Sequence, residues 1–246
     1  MVIAMEEIAT AMLIVMAMSN LSTMRLWQLI SPSLPIGAFA YSQGLETAVE
    51  KNWVSNEAEA KTWITGLLQQ SLSQLDAPII VRLQQAWQEN NAHALKYWNQ
   101  YLLASRESSE LVNEDQQMGL ALKRLLKDML ADDNREPQYL SQIEEIESPT
   151  YASLYALAIT VWKIPITVAI QGFLWSWSEN QVAASIKLVP LGQTAGQRIL
   201  SALIPIIEQG TQRAINISDD KIGALAPGFA IACAQHETQY SRLFRS

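Results

Sequence analysis

The chain has 246 residues, enough for one large domain or two small ones, and its 49% apolar content can supply a sizeable core. With 24 acidic and 17 basic residues it carries a net charge of -7, which argues against a general nucleic-acid binder. Its single cysteine, Cys233, excludes an intramolecular disulfide and favours a reducing compartment, so we expect a cytoplasmic protein.

The first 23 residues differ in character from the rest of the chain. Residues 8–18 form an apolar run that is too short to span a bilayer. Glu6 and Glu7 precede this run and no basic residue does, which is wrong for a secretory signal. Because a sensible chain begins at Met24, we treat residues 1–23 as an N-terminal extension outside the fold.

From residue 24 onward the apolar periodicity is helical, and no alternating strand pattern is convincing. Asn56 and Glu59 have the spacing of a capping box at a helix start. Asp76 followed by Pro78 predicts a cap and first turn of a further helix. Later helices are indicated by Leu95, Trp98 and Leu102, by Leu111, Asp115, Met118, Leu122 and Leu125, and by the stripe after Ser148-Pro149.

Residues 151–177 carry one charge, Lys163, and their length would permit a membrane span. Lys163 lies in the middle of the run, Pro165 follows it, and Gln171-Gly172 interrupts the second half. Two consecutive buried helices therefore explain the segment better than one transmembrane helix, although a membrane-associated helical protein is an alternative.

The polar, acidic residues 132–147 are the best candidate for a loop or flexible connection. Helical patterns of the same character lie on both sides, so this stretch does not divide two domains. We predict an all-α, single-domain bundle of about eight to ten helices over residues 24–246.

Most standard catalytic equipment is missing from the sequence. There is no phosphate-binding Gly-x-x-x-x-Gly-Lys-Ser/Thr motif, no His-Glu-x-x-His motif and no Cys-x-x-Cys pair. The two histidines are His93, which we expect to be solvated, and His236. These absences favour a binding module over an enzyme.

Cys233 and His236 are three residues apart, so they can share a helix face, and both are able to bind nickel or zinc. Two ligands are too few for a tight site, and a buried thiol beside a surface imidazole is the simpler interpretation. A transient site shared across a dimer remains open. The enzymatic alternative is a hydrolase that uses Ser42 or Cys233 as nucleophile with His236 as base.

Three internal segments and the C-terminus are candidates for binding. Residues 31–46 contain two prolines and Gly37, which predict a stiff, irregular loop suited to recognition as well as to an ordinary connection. Residues 105–119 place Arg106, Glu110 and Glu114 on one helix face, which a solvated surface also explains. In residues 187–198, Gly192 and Gly196 permit close helix approach, and Gln193 and Gln197 follow a neighbouring strip.

The last residues, 234–246, are aromatic, basic and polar, unlike the core. A terminus frays unless it docks, and Tyr240, Arg242 and Phe244 are residue types that anchor interfaces. We therefore expect this tail to bind something.

These segments together resemble the UreF family of urease accessory proteins, and the likeness spans residues 24–246. The matching pieces are Leu34-Pro-Ile-Gly-Ala-Phe39 with Tyr41-Ser-Gln-Gly-Leu-Glu46, Ala104-Ser-Arg-Glu107 with Glu114-Asp-Gln-Gln-Met-Gly119, residues 187–198 and residues 236–245. Each piece alone is weak evidence, whereas four in order are specific.

The resemblance implies an all-α homodimer that acts with the accessory protein UreD (also called UreH) and the GTPase UreG to insert nickel into the urease apoprotein. It implies no catalytic residue in this subunit and no tightly bound cofactor, with nickel handled transiently by the complex. Carried over by position, residues 236–245 would become ordered on UreD, Lys187 and residues 41–46 would lie near UreG, and Gln193 and Gln197 would form the dimer contact. The candidate partner-binding residues are Gly37, Tyr41, Ser42, Glu46, Arg106, Glu107, Lys187, Gln193, Gln197, His236, Glu237, Tyr240, Arg242 and Phe244.

Overall fold

The structure is a computed structural model, and it describes residues 20–131 and 137–246. Within these ranges ten helices have nine or more residues and no residue is in a strand, which confirms the predicted all-α, single-domain bundle. The helices are α1 (Asn20–Leu29), the six-residue α2 (Leu45–Glu50), α3 (Glu57–Leu67), α4 (Asp76–Gln88), α5 (Ala92–Ala104), α6 (Ser109–Ala131), α7 (Pro137–Glu145), α8 (Tyr151–Val161), α9 (Ile166–Leu188), α10 (Gln193–Asn216) and α11 (Pro227–His236).

Helix α4 lies at the centre of the bundle. It packs against α5, α8, α9 and α10, and its residue Trp87 is fully buried. The indole nitrogen of Trp87 donates a hydrogen bond of 3.0 Å to the carbonyl of Ser153 in α8. Large rings contribute most to apolar burial, and a buried indole N–H needs an acceptor, so this residue both fills the core and fixes the position of α8.

The predicted helix starts are largely confirmed. The side chain of Asn56 accepts the N–H of Glu59 at 3.1 Å, whereas the carboxylate of Glu59 accepts from Ser55 rather than from Asn56. Helix α4 begins at Asp76, but the side chain of Asp76 does not cap it and instead pairs with Arg106. Helix α8 begins just after Ser148-Pro149, with the hydroxyl of Thr150 as its cap.

Residues 151–177 form the predicted pair of helices, α8 and the first half of α9, separated at Pro165. In the described part of the chain no helix is both long and apolar enough to cross a bilayer. Helix α9 packs against α10 at Gly196, where an added Cβ would lie 2.7 Å from Cδ1 of Ile186. The predicted close approach is thus confirmed at Gly196 and wrong at Gly192, which has open space around it.

The predicted loop at residues 132–147 is partly wrong. Residues 132–136 lie outside the described ranges, but residues 137–145 form α7. Tyr139 and Ile143 are four residues apart and both are buried, with the ring of Tyr139 edge-on to Trp87 at 6.1 Å. Two apolar residues on one face are enough to dock a short helix whose remaining residues are polar.

The N-terminal 19 residues lie outside the described ranges, so the expected extension over residues 1–23 stays a prediction. Helix α1 begins at Asn20, and Ser22 is buried, so the helix starts upstream of Met24.

Candidate partner-binding site

The tail folds back onto its own chain. The main-chain oxygen of Ser246 accepts from the N–H of Ser42 at 2.9 Å and from its hydroxyl at 2.6 Å. The N–H of Arg245 donates to the carbonyl of Ala40 at 2.8 Å. The loop of residues 37–44 is shaped to receive the tail by two glycines with positive φ, Gly37 at 77° and Gly44 at 73°.

Glu46, in the first turn of α2, binds the backbone of the tail. Its Oε1 accepts the N–H of Leu243 at 2.6 Å, and its Oε2 accepts the N–H of Phe244 at 2.9 Å. Glu46 is buried, so these charge-assisted bonds are shielded from water. This residue, which the resemblance assigns to a partner contact, therefore serves the chain's own tail.

His236, at the end of α11, is fully buried, so the expected surface imidazole is wrong. Its Nδ1 lies 2.6 Å from Oε2 of Glu110, and its Nε2 lies 3.3 Å from Oε2 of Glu46. The other carboxylate oxygen of Glu110, Oε1, accepts a hydrogen bond of 2.5 Å from the guanidinium of Arg242. Because each ring nitrogen faces a carboxylate oxygen, His236 connects α11 to both α2 and α6.

Glu114 links the tail to the interior. Its Oε2 accepts from the hydroxyl of Ser246 at 2.7 Å, and its Oε1 accepts from Nε2 of Gln43 at 2.6 Å. The amide oxygen of Gln43 in turn accepts from the indole of Trp177 at 2.6 Å. Burial raises the pKa of Glu114 to about 7, although the bonds from Ser246 and Gln43 and the charge of Arg106 oppose that shift.

A second polar cluster lies beside the first and is centred on Arg106. Its guanidinium bonds Asp76 at 2.6 Å and Asp115 at 2.7 Å, and the charges of these two carboxylates raise its pKa above the ordinary value although burial opposes that shift. The other oxygen of Asp115 accepts the N–H of Tyr151 at 2.8 Å, at the start of α8. The interpretation of Arg106, Glu110 and Glu114 as a solvated helix face is therefore wrong. Arg106 binds Asp76 and Asp115, and Glu114 points inward with 5% of its surface exposed.

Docking gives the tail an inner and an outer side. Phe244 is buried, and the ammonium of Lys187 lies 5.5 Å from the centre of its ring. Tyr240 is fully exposed, and Leu243 is 65% exposed. Ile231, on the outer side of α11, is 50% exposed. Three large apolar side chains thus face solvent on one segment of the chain.

The remaining predicted residues are not brought into this network equally. Glu237 is exposed and accepts from both the N–H and the hydroxyl of Ser109 at 2.7 Å, which joins α11 to the start of α6. Glu107 is an exposed residue, but its carboxyl group is partly shielded from water, and this desolvation raises its pKa. Gln193 and Gln197 are exposed in the first turns of α10, so their dimer role stays a prediction. His93 is exposed, as predicted.

The structure does not place the nucleophile and the base of the hydrolase alternative in a catalytic arrangement. The hydroxyl of Ser42 is fully buried and donates to Ser246, not to His236. Burial, with the charge of Glu114 next in importance, raises the pKa of the Cys233 thiol well above its ordinary value, which disfavours the nucleophilic thiolate. Both nitrogens of His236 face carboxylates. Among the described residues no three His, Cys, Asp or Glu side chains are grouped so as to hold a metal.

The sequence places Gln43 and Glu110 inside candidate binding segments without naming them as partner-binding residues, and it predicts Asp76 only as a helix cap. It predicts Glu114 on a solvated face, although one feature of the sequence indicates a buried position. Glu114 and Asp115 fall between Leu111 and Met118 at helical spacing, so one turn of α6 carries acids next to its apolar stripe. Acids in that position are either solvated or paired, and a partner outside the helix, here Arg106 for Asp115 and Ser246 for Glu114, decides between the two.

The chain is similar in sequence to known proteins over most of its length. The UreF family model matches residues 54–204. A urease accessory protein UreF from Alkalilimnicola ehrlichii is 46% identical over 92% of this chain and 97% of its own. The proteins of the same name from Psychrobacter cryohalolentis and Marinobacter nauticus are each 45% identical, over 94% and 92% of this chain and 97% and 95% of their own. The chain belongs to the UreF family of urease accessory proteins.

Proposed function

We propose that this chain is a non-catalytic scaffold in the insertion of nickel into the urease apoprotein. It acts as a homodimer in the cytoplasm, together with UreD (UreH) and the GTPase UreG. Nickel is the cargo of the assembly and is not held tightly by this subunit.

The observation that carries the proposal is the docked tail. Its inner side is anchored by Glu46, Ser42 and Glu114, and its outer side presents Tyr240 and Leu243. Ile231, on the adjoining helix α11, is exposed as well. Exposed large apolar side chains beside charged ones are typical of a protein-binding surface, and aromatic residues often carry most of the binding free energy. We assign this outer face to UreD.

We propose the contact with UreG from the position of Lys187. Lys187 lies against the inner side of the tail, at Phe244, and is itself exposed. A contact with UreG at Lys187 and the loop of residues 41–46 would therefore depend on the tail being docked. The hydrolase alternative has no support in the geometry of Ser42, Cys233 and His236.

The experiment that tests the proposal is co-purification of the full chain with UreD and UreG, beside a variant that lacks residues 235–246. We expect the full chain to elute as a dimer in complex with both proteins, and the shortened chain to lose UreD. The purified chain alone should bind nickel weakly in equilibrium dialysis. A full chain that stays monomeric and retains neither protein would contradict the proposal, as would stoichiometric nickel binding at sub-micromolar concentration.

A further inference from the structure

A cavity of about 350 Å³ lies beneath the loop of residues 31–43, between that loop, α6 and α9. Its walls include apolar side chains, among them Leu72, Phe173 and Phe229. They also include the cluster of Asp76, Arg106, Glu114 and Asp115, which we call the polar end of the cavity. The volume is at the lower end of the range for small-molecule sites, which begins at roughly 300 Å³.

The polar end carries an excess of negative charge. Three carboxylates face one guanidinium there, and Oδ2 of Asp76 is buried without a hydrogen-bond partner among the described residues. Asp76 as a whole is 4% exposed, and it lines the cavity. A buried carboxylate oxygen without a donor is costly, and a ligand that brings N–H groups and a positive charge would remove that cost.

We propose that this cavity is a binding site for a small organic cation with a flat apolar body, of the amidinium or guanidinium class. The cationic head lies among Asp76, Glu114 and Asp115, and the apolar body lies against Phe173, Trp177 and Phe229. A planar head with several N–H donors suits carboxylate oxygens, and the aromatic walls favour a flat body. Binding of this cation does not require a protein partner.

Glu114 gives the site a pH dependence that can be measured. The charges that act on it are those of Arg106 and Asp115, beside its bonds to Ser246 and Gln43, and Asp76 and Glu179 also line the cavity. Burial raises the pKa of Glu114 to about 7, so a fraction of the chains carries a neutral Glu114 at that pH. A bound cation favours the ionised carboxylate, so binding releases protons near pH 7 and strengthens as the pH rises.

The probe is benzamidine, which stays cationic across this range, with its neutral relative benzamide as the matched ligand. Titration calorimetry of the full chain at pH 6 and pH 8 should show benzamidine binding severalfold more tightly at pH 8, with proton release seen in buffers of different ionisation enthalpy. Benzamide should bind at least tenfold more weakly. Equal binding of the two ligands, or binding of neither, would overturn the proposal.

Three variants locate the site. Ala183→Phe places a ring at the exposed mouth of the cavity and leaves the polar end intact, so it should weaken benzamidine binding at least tenfold. Ala202→Phe makes the same change at an exposed position of α10 that does not line the cavity, and it should have no effect. Glu114→Gln should abolish the difference between pH 6 and pH 8. Unchanged affinity in Ala183→Phe, or a pH dependence that persists in Glu114→Gln, would place the ligand elsewhere.

Discussion

Glu114 is a buried acid whose charged form is disfavoured by the fold. Its pKa rises from the ordinary value of 4.5 to about 7 because burial removes water from the carboxylate. The folded chain therefore binds a proton more tightly than the unfolded chain between these two pH values. The contribution of Glu114 to the free energy of unfolding is fully present below about pH 4.5 and is lost as the pH rises through 7. The whole contribution is on the order of 3 kcal/mol.

Replacing Glu114 with Gln removes that loss, because the amide stays neutral and can still bond Gln43 and Ser246. We expect the melting temperature of Glu114→Gln to exceed that of the wild type at pH 8 and to match it at pH 5. Thermal unfolding by circular dichroism at the two pH values measures this. Glu59→Gln is the contrasting control, since bonds from Ser55 lower the pKa of Glu59 and its loss should destabilise at pH 8. The assignment would be contradicted if Glu114→Gln melted at a lower temperature than the wild type at pH 8 while matching it at pH 5.

Arg106 holds two buried carboxylates, and neither has another cation at hydrogen-bond distance among the described residues. Arg106→Ala would leave Asp76 and Asp115 uncompensated, and breaking a buried ion pair in this way costs about 3–5 kcal/mol. Urea unfolding should show that loss. Arg198→Ala is the matched control, because Arg198 makes a bidentate pair with Glu57 on the surface and its removal should change stability little. Similar losses in both variants would show that burial of the Arg106 cluster is not what matters.

The limits of sequence reasoning are clear at these residues. Asp115 has the same helical spacing as Leu111, Met118 and Leu122, which predicts a position on or beside the apolar face, and it is buried there. His236 is predicted at the surface and is fully buried, because Glu46 and Glu110, each more than 100 positions away in the chain, enclose it. Local spacing predicts which residues share a helix face, but the charge that a distant element brings to that face is set by the tertiary fold.

At the scale of the element, α6 and the start of α8 approach each other at Gly119. A Cβ added there would lie 2.1 Å from the carbonyl oxygen of Pro149 and 2.8 Å from the carbonyl carbon of Thr150. These are backbone atoms, so relief requires the two elements to separate. That separation would also pull Asp115 from the N–H of Tyr151.

Gly119→Ala should therefore destabilise the chain by about 2–3 kcal/mol or more, despite the higher helix propensity of alanine. Gly66→Ala is the control: Gly66 is also helical and has no atom within 4 Å of the added Cβ, so alanine should be neutral or slightly stabilising there. Chemical denaturation of both variants measures the difference. A stabilised Gly119→Ala would mean that α6 and α8 are farther apart than described.

Helix boundaries illustrate what the pattern predicts well. Capping at Asn56 and the breaks at Pro165 and after Ser148-Pro149 depend on local backbone chemistry and are confirmed. Helix α7 has the sequence character of a loop, because only Tyr139 and Ile143 mark its buried face among acidic and polar neighbours. The composition of the tail predicts that it docks, but its binding surface on α2 and α6 could not be predicted because it joins residues about 200 and 130 positions apart.

At the scale of the whole molecule, the fold brings together two segments that are about 200 positions apart in the chain and form the candidate site. The loop before α2 and the C-terminal tail form one surface, and the buried bonds of Glu46, His236 and Glu114 hold it to the body of the bundle. The side chains of Tyr240 and Leu243 are exposed and take no part in these bonds, because Leu243 binds Glu46 through its backbone N–H. Partner binding and tail docking can therefore be separated by mutation.

The most direct test of the scaffold role is the affinity of UreD for a chain that carries Tyr240→Ala and Leu243→Ala together. We predict at least a tenfold weaker Kd with an unchanged melting temperature, because the inner anchors remain, while Leu21→Ala, at an exposed apolar residue of α1, leaves the Kd unchanged. A double variant that binds UreD as tightly as the wild type would contradict the claim that the outer side of the docked tail is the partner-binding surface.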